Sequence, residues 1–317
     1  MRRFQIVLFV LCGCVTACGT RVHQAHTRVR SVLPLFGPVI SREVIGGRAD
    51  DRGDHVWMLG GGEAIVRIDL KAGVATRTGI ALPRGERCWG LARLDDGSVW
   101  TLLGQRTLAQ VDSDGRIARE IALAEPHFGL YAHGDRLVYQ PARFTQTAPL
   151  LFAGIPGDSV PRPWSAIEPR PFPSLARASA AALNMVACGA TRTAEQPCWF
   201  PDDTALALIG PAGATRRLVL SGLTRVAPEV LLTSDNPARP LRDAFVDETG
   251  AIWVLSSGAP PAGASDAPGG WLLAEYTQTG ALVRMFRMSE SVRLILRADS
   301  RRLIVLTGAG MVAEVER

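Results

Sequence analysis

Lysine is almost missing from this 317-residue chain: Lys71 is the only one, and arginine carries nearly all the positive charge. The arginines are scattered, without the clustered basic face that a nucleic-acid surface needs, which argues against nucleic acid as a partner. After Cys18 no run of eighteen apolar residues occurs, so nothing there is long enough to cross a bilayer as a helix. The chain carries no glycine-rich phosphate loop, no zinc-ligand spacing and no paired nucleophile and base. Those absences remove the usual signatures of nucleotide-dependent, zinc-dependent and triad-type enzymes. What remains is 47% hydrophobic and 21% charged, with a formal charge of +5, the balance of a chain with an ordinary folded core.

The N-terminus reads as an export signal: Met1-Arg2-Arg3, an apolar run from Phe4 to Leu11, then small residues, too short to be a stable spanning helix. It ends Val15-Thr16-Ala17-Cys18, which resembles a bacterial lipobox. The resemblance implies cleavage before Cys18 and acylation of its thiol, and a triacylated N-terminus holds a protein on a bilayer without a transmembrane helix. Acylation at Cys14 and an ordinary secretory signal are the alternatives. Gly19 rather than Asp follows the cysteine, which in the enterobacterial sorting pattern directs a lipoprotein to the outer membrane. The chain then divides into a signal peptide (1–17), a polar tether (18–31) and a folded domain (32–317). Loss of Arg2 and Arg3 takes the formal charge from +5 to +3.

Four cysteines survive cleavage. Cys188 and Cys198 flank Gly189 to Pro197, and an oxidising compartment favours a disulfide closing that loop. Such a bridge stabilises by roughly 2–3 kcal/mol through the unfolded state; two buried thiols are the other reading. Cys88, beside Trp89, reads as a small buried hydrophobe.

The domain is organised as repeats of Phe245-Val-Asp-Glu-Thr-Gly-Ala-Ile-Trp-Val-Leu255: a strand, an Asp/Gly turn, and a strand headed by an aromatic residue. Echoes occur around Trp57, Trp100, Tyr139 and Trp199, and a sixth unit spans Leu294 to Leu306. Alternating apolar residues about Asp/Gly turns are hairpin signals. A second echo places an arginine four residues after a glycine, at Gly73, Gly115, Gly213 and Gly280. The glycine suits a positive-φ turn between outer strands, and the arginine a solvated edge. Gly258 to Gly270 is a flexible insertion by composition. Repeats of this period predict an all-β fold, a six-bladed β-propeller of four-stranded antiparallel blades. The last unit has three strands, and the N-terminal segment 32–40 is expected to supply the fourth and close the ring.

The Asp-x-x-Gly-x-Ile-Trp core resembles that of six-bladed propellers of the NHL and gluconolactonase (senescence-marker-protein) type. For the gluconolactonase-like enzymes, the resemblance implies one divalent metal (calcium, manganese or zinc) in the central channel, held by Glu43, Asn184 and Asp243, activating a lactone or ester. Departures stand against it: Ala244 follows Asp243, Met185 follows Asn184, and Glu43 lacks the family's Pro-x-Trp. Asp112 and Asp114 fit a plain turn rather than a calcium loop. The other candidate surface is the funnel rim: Arg87, Trp89, His127, Arg143, Arg242 and Arg293, a set suited to an anion or peptide. His127 is also the candidate base for a lyase. The reading as a whole is a membrane-anchored propeller binding an envelope protein or small ligand without a cofactor, with the metal-dependent hydrolase as the alternative.

Overall fold

A computed structural model describes residues 22–25, 27–31, 49–50, 55–60, 63–72, 74–83, 86–142, 151–154, 162–165, 167–233, 239–258, 270–299, 301–308 and 310–315. These form six sheets in chain order, each built around a meander of antiparallel strands. The first blade is Ala49–Asp50, His55–Gly60, Ala64–Asp69 and Val74–Gly79. The second is Cys88–Arg93, Val99–Leu103, Thr107–Val111 and Ile117–Ala122. The third is His127–His133, Arg136–Pro141, Phe152–Gly154 and Arg162–Pro163. The fourth is Ala187–Cys188, Gln196–Trp199, Ala205–Ile209 and Thr215–Val219. The fifth is Arg239–Val246, Ile252–Gly258, Gly270–Tyr276 and Leu282–Met288. The sixth is Val292–Ala298, Leu303–Thr307 and Val312–Val315.

Both faces of a blade are apolar because each packs on a neighbour. Along the fifth blade's inner strand, Ala244 and Val246 enter the core shared with the fourth blade. Phe245, between them, enters the core shared with the sixth. Among the described residues there are six such clusters, one between each successive pair of blades, and one of them joins the sixth to the first through Leu296, Ile304, Val56 and Ile68. That cluster makes the array a ring.

The sixth blade's outermost strand is Thr27–Ser31, antiparallel to Val312–Val315. Just before it, Val22–Ala25 runs parallel to Leu282–Met288 on the outer edge of the fifth blade. The closing strand therefore lies upstream of 32–40, in the stretch expected to be tether; 32–40 lies outside the described residues. The polar composition of 22–31 suits an outermost strand, which is wet on one side.

The repeated turn has a physical basis. In the template, Asp247 Oδ1 accepts the N–H groups of Thr249 and Ala251, and Gly250 sits at φ +82°. Asp112 does the same for Asp114 and Arg116, with Gly115 at φ +81°, so that pair of aspartates builds a turn. Trp100 and Trp253 follow Asp/Gly hairpins and face the next blade, as Trp57 also does. Tyr139 does not. The third blade turns through Gly134 and Asp135 alone, since His133 pairs with Arg136, and Tyr139 faces the preceding blade instead.

The glycine of the second echo does more than turn the chain. A Cβ on Gly115 would lie 2.0 Å from the Gly79 carbonyl oxygen, one on Gly213 1.8 Å from that of Trp164, and one on Gly280 2.2 Å from that of Val219. Each outer turn is thus seated against the end of the preceding blade, where only glycine fits. Arg119 and Arg217 are exposed as expected. Arg284 pairs with Glu275 and lies over Trp253.

Candidate functional site

Antiparallel connectivity gives the ring two distinct ends. The turns between first and second strands gather at one, here the turn end; the connections from second to third strands gather at the other, the connection end. The ring is least regular at the fourth blade. Its inner strand is only Ala187–Cys188; after Gly189 the chain crosses to the fifth blade, where Ala190–Thr191 runs parallel to Phe245 and Val246. Gly189 permits the crossing, because a Cβ there would stand 1.9 Å from the Ala244 oxygen. Cys188 lies opposite Cys198 in the ladder and the two sulfurs are bonded, pinning the strand where it leaves its sheet.

Away from the fifth blade, that departure leaves a cavity of about 580 Å³ opening at the turn end between the third and fourth blades. Arg93, Tyr131, His133, Arg136, Thr191 and Gln196 contribute to its wall. Tyr131 spans the gap, its hydroxyl donating to the Val186 carbonyl at 3.1 Å, and burial pushes its pKa up to about 12. His133 lies 4.9 Å from the Trp164 ring. Burial pushes its pKa down, against an opposing hydrogen bond with Gln196, so it is neutral near pH 7. Arg93 Nε is buried and has no hydrogen-bond partner among the described residues. The wall is therefore rich in donors, with Asp95 and Asp135 as its acids, and suits a polar or anionic group.

Past its second strand the fourth blade is braced by charge. Asp202 is fully buried and accepts from Arg170 at 2.9 and 2.5 Å and from Arg225 at 3.0 Å. Burial alone would raise its pKa, but the two guanidinium groups outweigh it and hold the carboxyl low. Arg170 also lies 3.9 Å over the Phe200 ring.

The residues singled out in the sequence do not converge on one site. Glu43 and Arg143 lie outside the described residues. Asn184 caps the helix Arg177–Leu183; its Oδ1 accepts the Arg170 N–H and its Nδ2 donates to the Arg170 and Ala180 carbonyls. Asp243 Oδ1 accepts the Ala244 N–H at 3.0 Å, and Oδ2 the Ile295 N–H at 2.7 Å, tying the fifth blade's inner strand to the sixth's. Those oxygens are not free, since backbone N–H groups on separate elements engage them, and Glu43, the third of the set, lies outside the described residues. Nor do any three His, Cys, Asp or Glu among the described residues form a metal-holding group. His127 is buried, with Nδ1 2.8 Å from the Glu125 carbonyl and its ring edge-on to Tyr139, the setting of a packed residue rather than a base. Trp89 packs against the core between the second and third blades. Arg87 is exposed, whereas Arg242 and Arg293 are half-buried at the head of their strands. Burial pushes the Cys88 thiol up to about 11, which removes it as a nucleophile.

A closed β-propeller with a donor-lined cavity at one end is the class this geometry defines. A scan of the sequence against protein-family models finds no match, and a search of curated proteins finds none. Solved structures share the fold. A member of the DUF4221 family from Bacteroides vulgatus has a TM-score of 0.59 at 9% identity, covering 93% of this chain and 99% of that one. Regucalcin from Agrobacterium tumefaciens, a calcium-binding protein, has 0.54 at 11% identity, covering 93% and 94%. Virginiamycin B lyase from Staphylococcus aureus has 0.50 at 11% identity, covering 87% and 96%. Likeness at these identities establishes the propeller fold alone, since many activities use it.

Proposed function

We propose that this chain is a membrane-tethered binding module of a bacterial cell envelope, which docks a polar or anionic ligand or partner protein in the turn-end cavity. The observation that supports this most is the make-up of that cavity: guanidinium, hydroxyl and amide donors surround a histidine kept neutral by burial. Such a wall orients a ligand by hydrogen bonds. The anchor is Cys18, acylated at the lipobox-like Val15-Thr16-Ala17-Cys18, with Gly19 favouring the outer membrane. Val22, where the first strand begins, is four residues on from the anchor, a reach of at most about 14 Å. The propeller would therefore stand close to the bilayer surface.

Labelling of full-length protein with a palmitate analogue tests the anchor: incorporation is expected, and its loss in Cys18→Ser. Cross-linking on intact envelopes, compared between wild type and an Arg93→Ala, Arg136→Ala double variant, tests the cavity. A specific product weakened in the variant is expected. Robust turnover of lactones or esters by the purified protein, unchanged in that variant, would overturn the binding reading in favour of a hydrolase.

A further inference from the structure

The third blade's two outer strands, Phe152–Gly154 and Arg162–Pro163, have three and two residues, against five and five in the fourth. Among the described residues, the outer half of the fourth blade is left partly uncovered on the side facing the third. Leu218 enters the core shared with the fifth blade, so its neighbours Arg217 and Val219 point the other way. The Arg217 side chain is 70% exposed and Val219 is 63% exposed. On that side lies a second cavity, of about 390 Å³, whose wall includes Ile167, Val186, Phe200 and Ala207. All four belong to the core between the third and fourth blades. Phe200 and Asp203, also in the wall, lie on the connection between second and third strands, so this cavity reaches the connection end. It shares no lining residue with the turn-end cavity.

Arg170 and Arg225 complete one side of the wall. Asp202 Oδ2 accepts from Arg170 at 2.9 Å and from Arg225 at 3.0 Å, and Oδ1 accepts from Arg170. Two guanidinium groups thus share one carboxylate, and a positive charge is left over. Arg225 carries that surplus: its side chain is 60% exposed, bonds Asp202 through one nitrogen, and makes no other hydrogen bond or ion pair among the described residues. Arg217 is matched by Asp203 at 3.4 Å. Glu168, the wall's other acid, is exposed and in no ion pair among the described residues, and it disfavours a second anionic group on a ligand. An apolar cavity of this size with a few placed polar groups has the make-up of a small-molecule site. An available guanidinium fork at its edge pairs with a carboxylate.

We propose that this cavity binds a small monocarboxylic acid with an apolar body, its carboxylate paired with Arg225 and its body packed against Ile167, Phe200 and Ala207. The site is separate from the turn-end cavity and does not depend on the function given to that cavity.

The test is calorimetric titration of full-length protein in neutral detergent, with phenylacetate and isovalerate as aromatic and aliphatic probes. Saturable binding of at least one is expected, and the tighter probe gives the shape of the body. The matching amide, which lacks the charge, and acetate, which lacks the body, should each bind at least tenfold more weakly; that comparison needs only the wild-type protein. Arg225→Gln should weaken binding at least tenfold with the melting temperature retained, because Asp202 keeps its bonds to Arg170. Arg225→Lys, which keeps the charge but loses the fork, should weaken it less, and Arg119→Gln, on the exposed edge of the second blade, not at all. Absence of saturable binding by both acids, equal binding of acid and amide, or equal binding in wild type and Arg225→Gln overturns the site.

Discussion

The fifth and fourth blades share one plan and differ at the inner strand. In the fifth, eight residues from Arg239 to Val246 run the depth of the ring, Asp247 ties the following turn, and Trp253 is buried against the sixth blade. In the fourth, the inner strand keeps two residues in its own sheet before the chain leaves for the fifth blade. A disulfide and the buried Asp202, held by Arg170 and Arg225, secure the rest. The regular blade seals both faces with apolar side chains and offers no room. The irregular one replaces ladder length with covalent and ionic ties, and the space it gives up is the cavity.

This contrast is most severely tested in the regular blade. Trp253→Ala removes a side chain 1% exposed and stacked on Phe286, and is expected to lower unfolding free energy by about 3–5 kcal/mol in urea titration. A loss under 1 kcal/mol would mean the blade interface tolerates a void, contrary to the packing described. Next is the seat between the two blades. Gly280→Ala combines a left-handed backbone costing about 1–2 kcal/mol with overpacking of about 1–3 kcal/mol against Val219. Gly97 has a similar positive φ, but its nearest neighbour is the Arg93 side chain at 3.4 Å, so Gly97→Ala should show the backbone part alone. Equal melting shifts for the two variants would show that close approach contributes nothing.

The last test belongs to the irregular blade. Replacing Cys188 and Cys198 together by serine should cost about 2–3 kcal/mol. It should also loosen the cavity wall, read as faster amide exchange at Gly189 to Gln196 with the fifth blade unchanged. Uniform exchange changes across both blades would instead mark the bridge as a general staple.

Much of this was legible along the chain, because its causes are local. The Asp/Gly turn, the strand alternation and the four-residue glycine–arginine echo act within a few residues, so the six units and their turns could be read directly. Long-range features could not. Polarity marked 22–31 as tether, yet an outermost strand has the same polarity, and only its pairing with Val312–Val315 distinguishes them. Asp243 stood out along the chain because its position matched a motif; its bond to the N–H of Ile295, fifty-two residues on, had no such local sign. The wall of the cavity was missed although Gly189-Ala-Thr-Arg-Thr193 was in view as a disulfide loop. Nothing in that stretch announces that Gly189 abuts the fifth blade.

The sequence by itself determined the repeat, the strand-and-turn grammar and the all-β class, since periodicity and turn chemistry are short-range. Only the tertiary structure decided which segment closes the ring and where the ring opens. Those outcomes depend on strands meeting across hundreds of residues, where packing and register rather than local preference choose the partner.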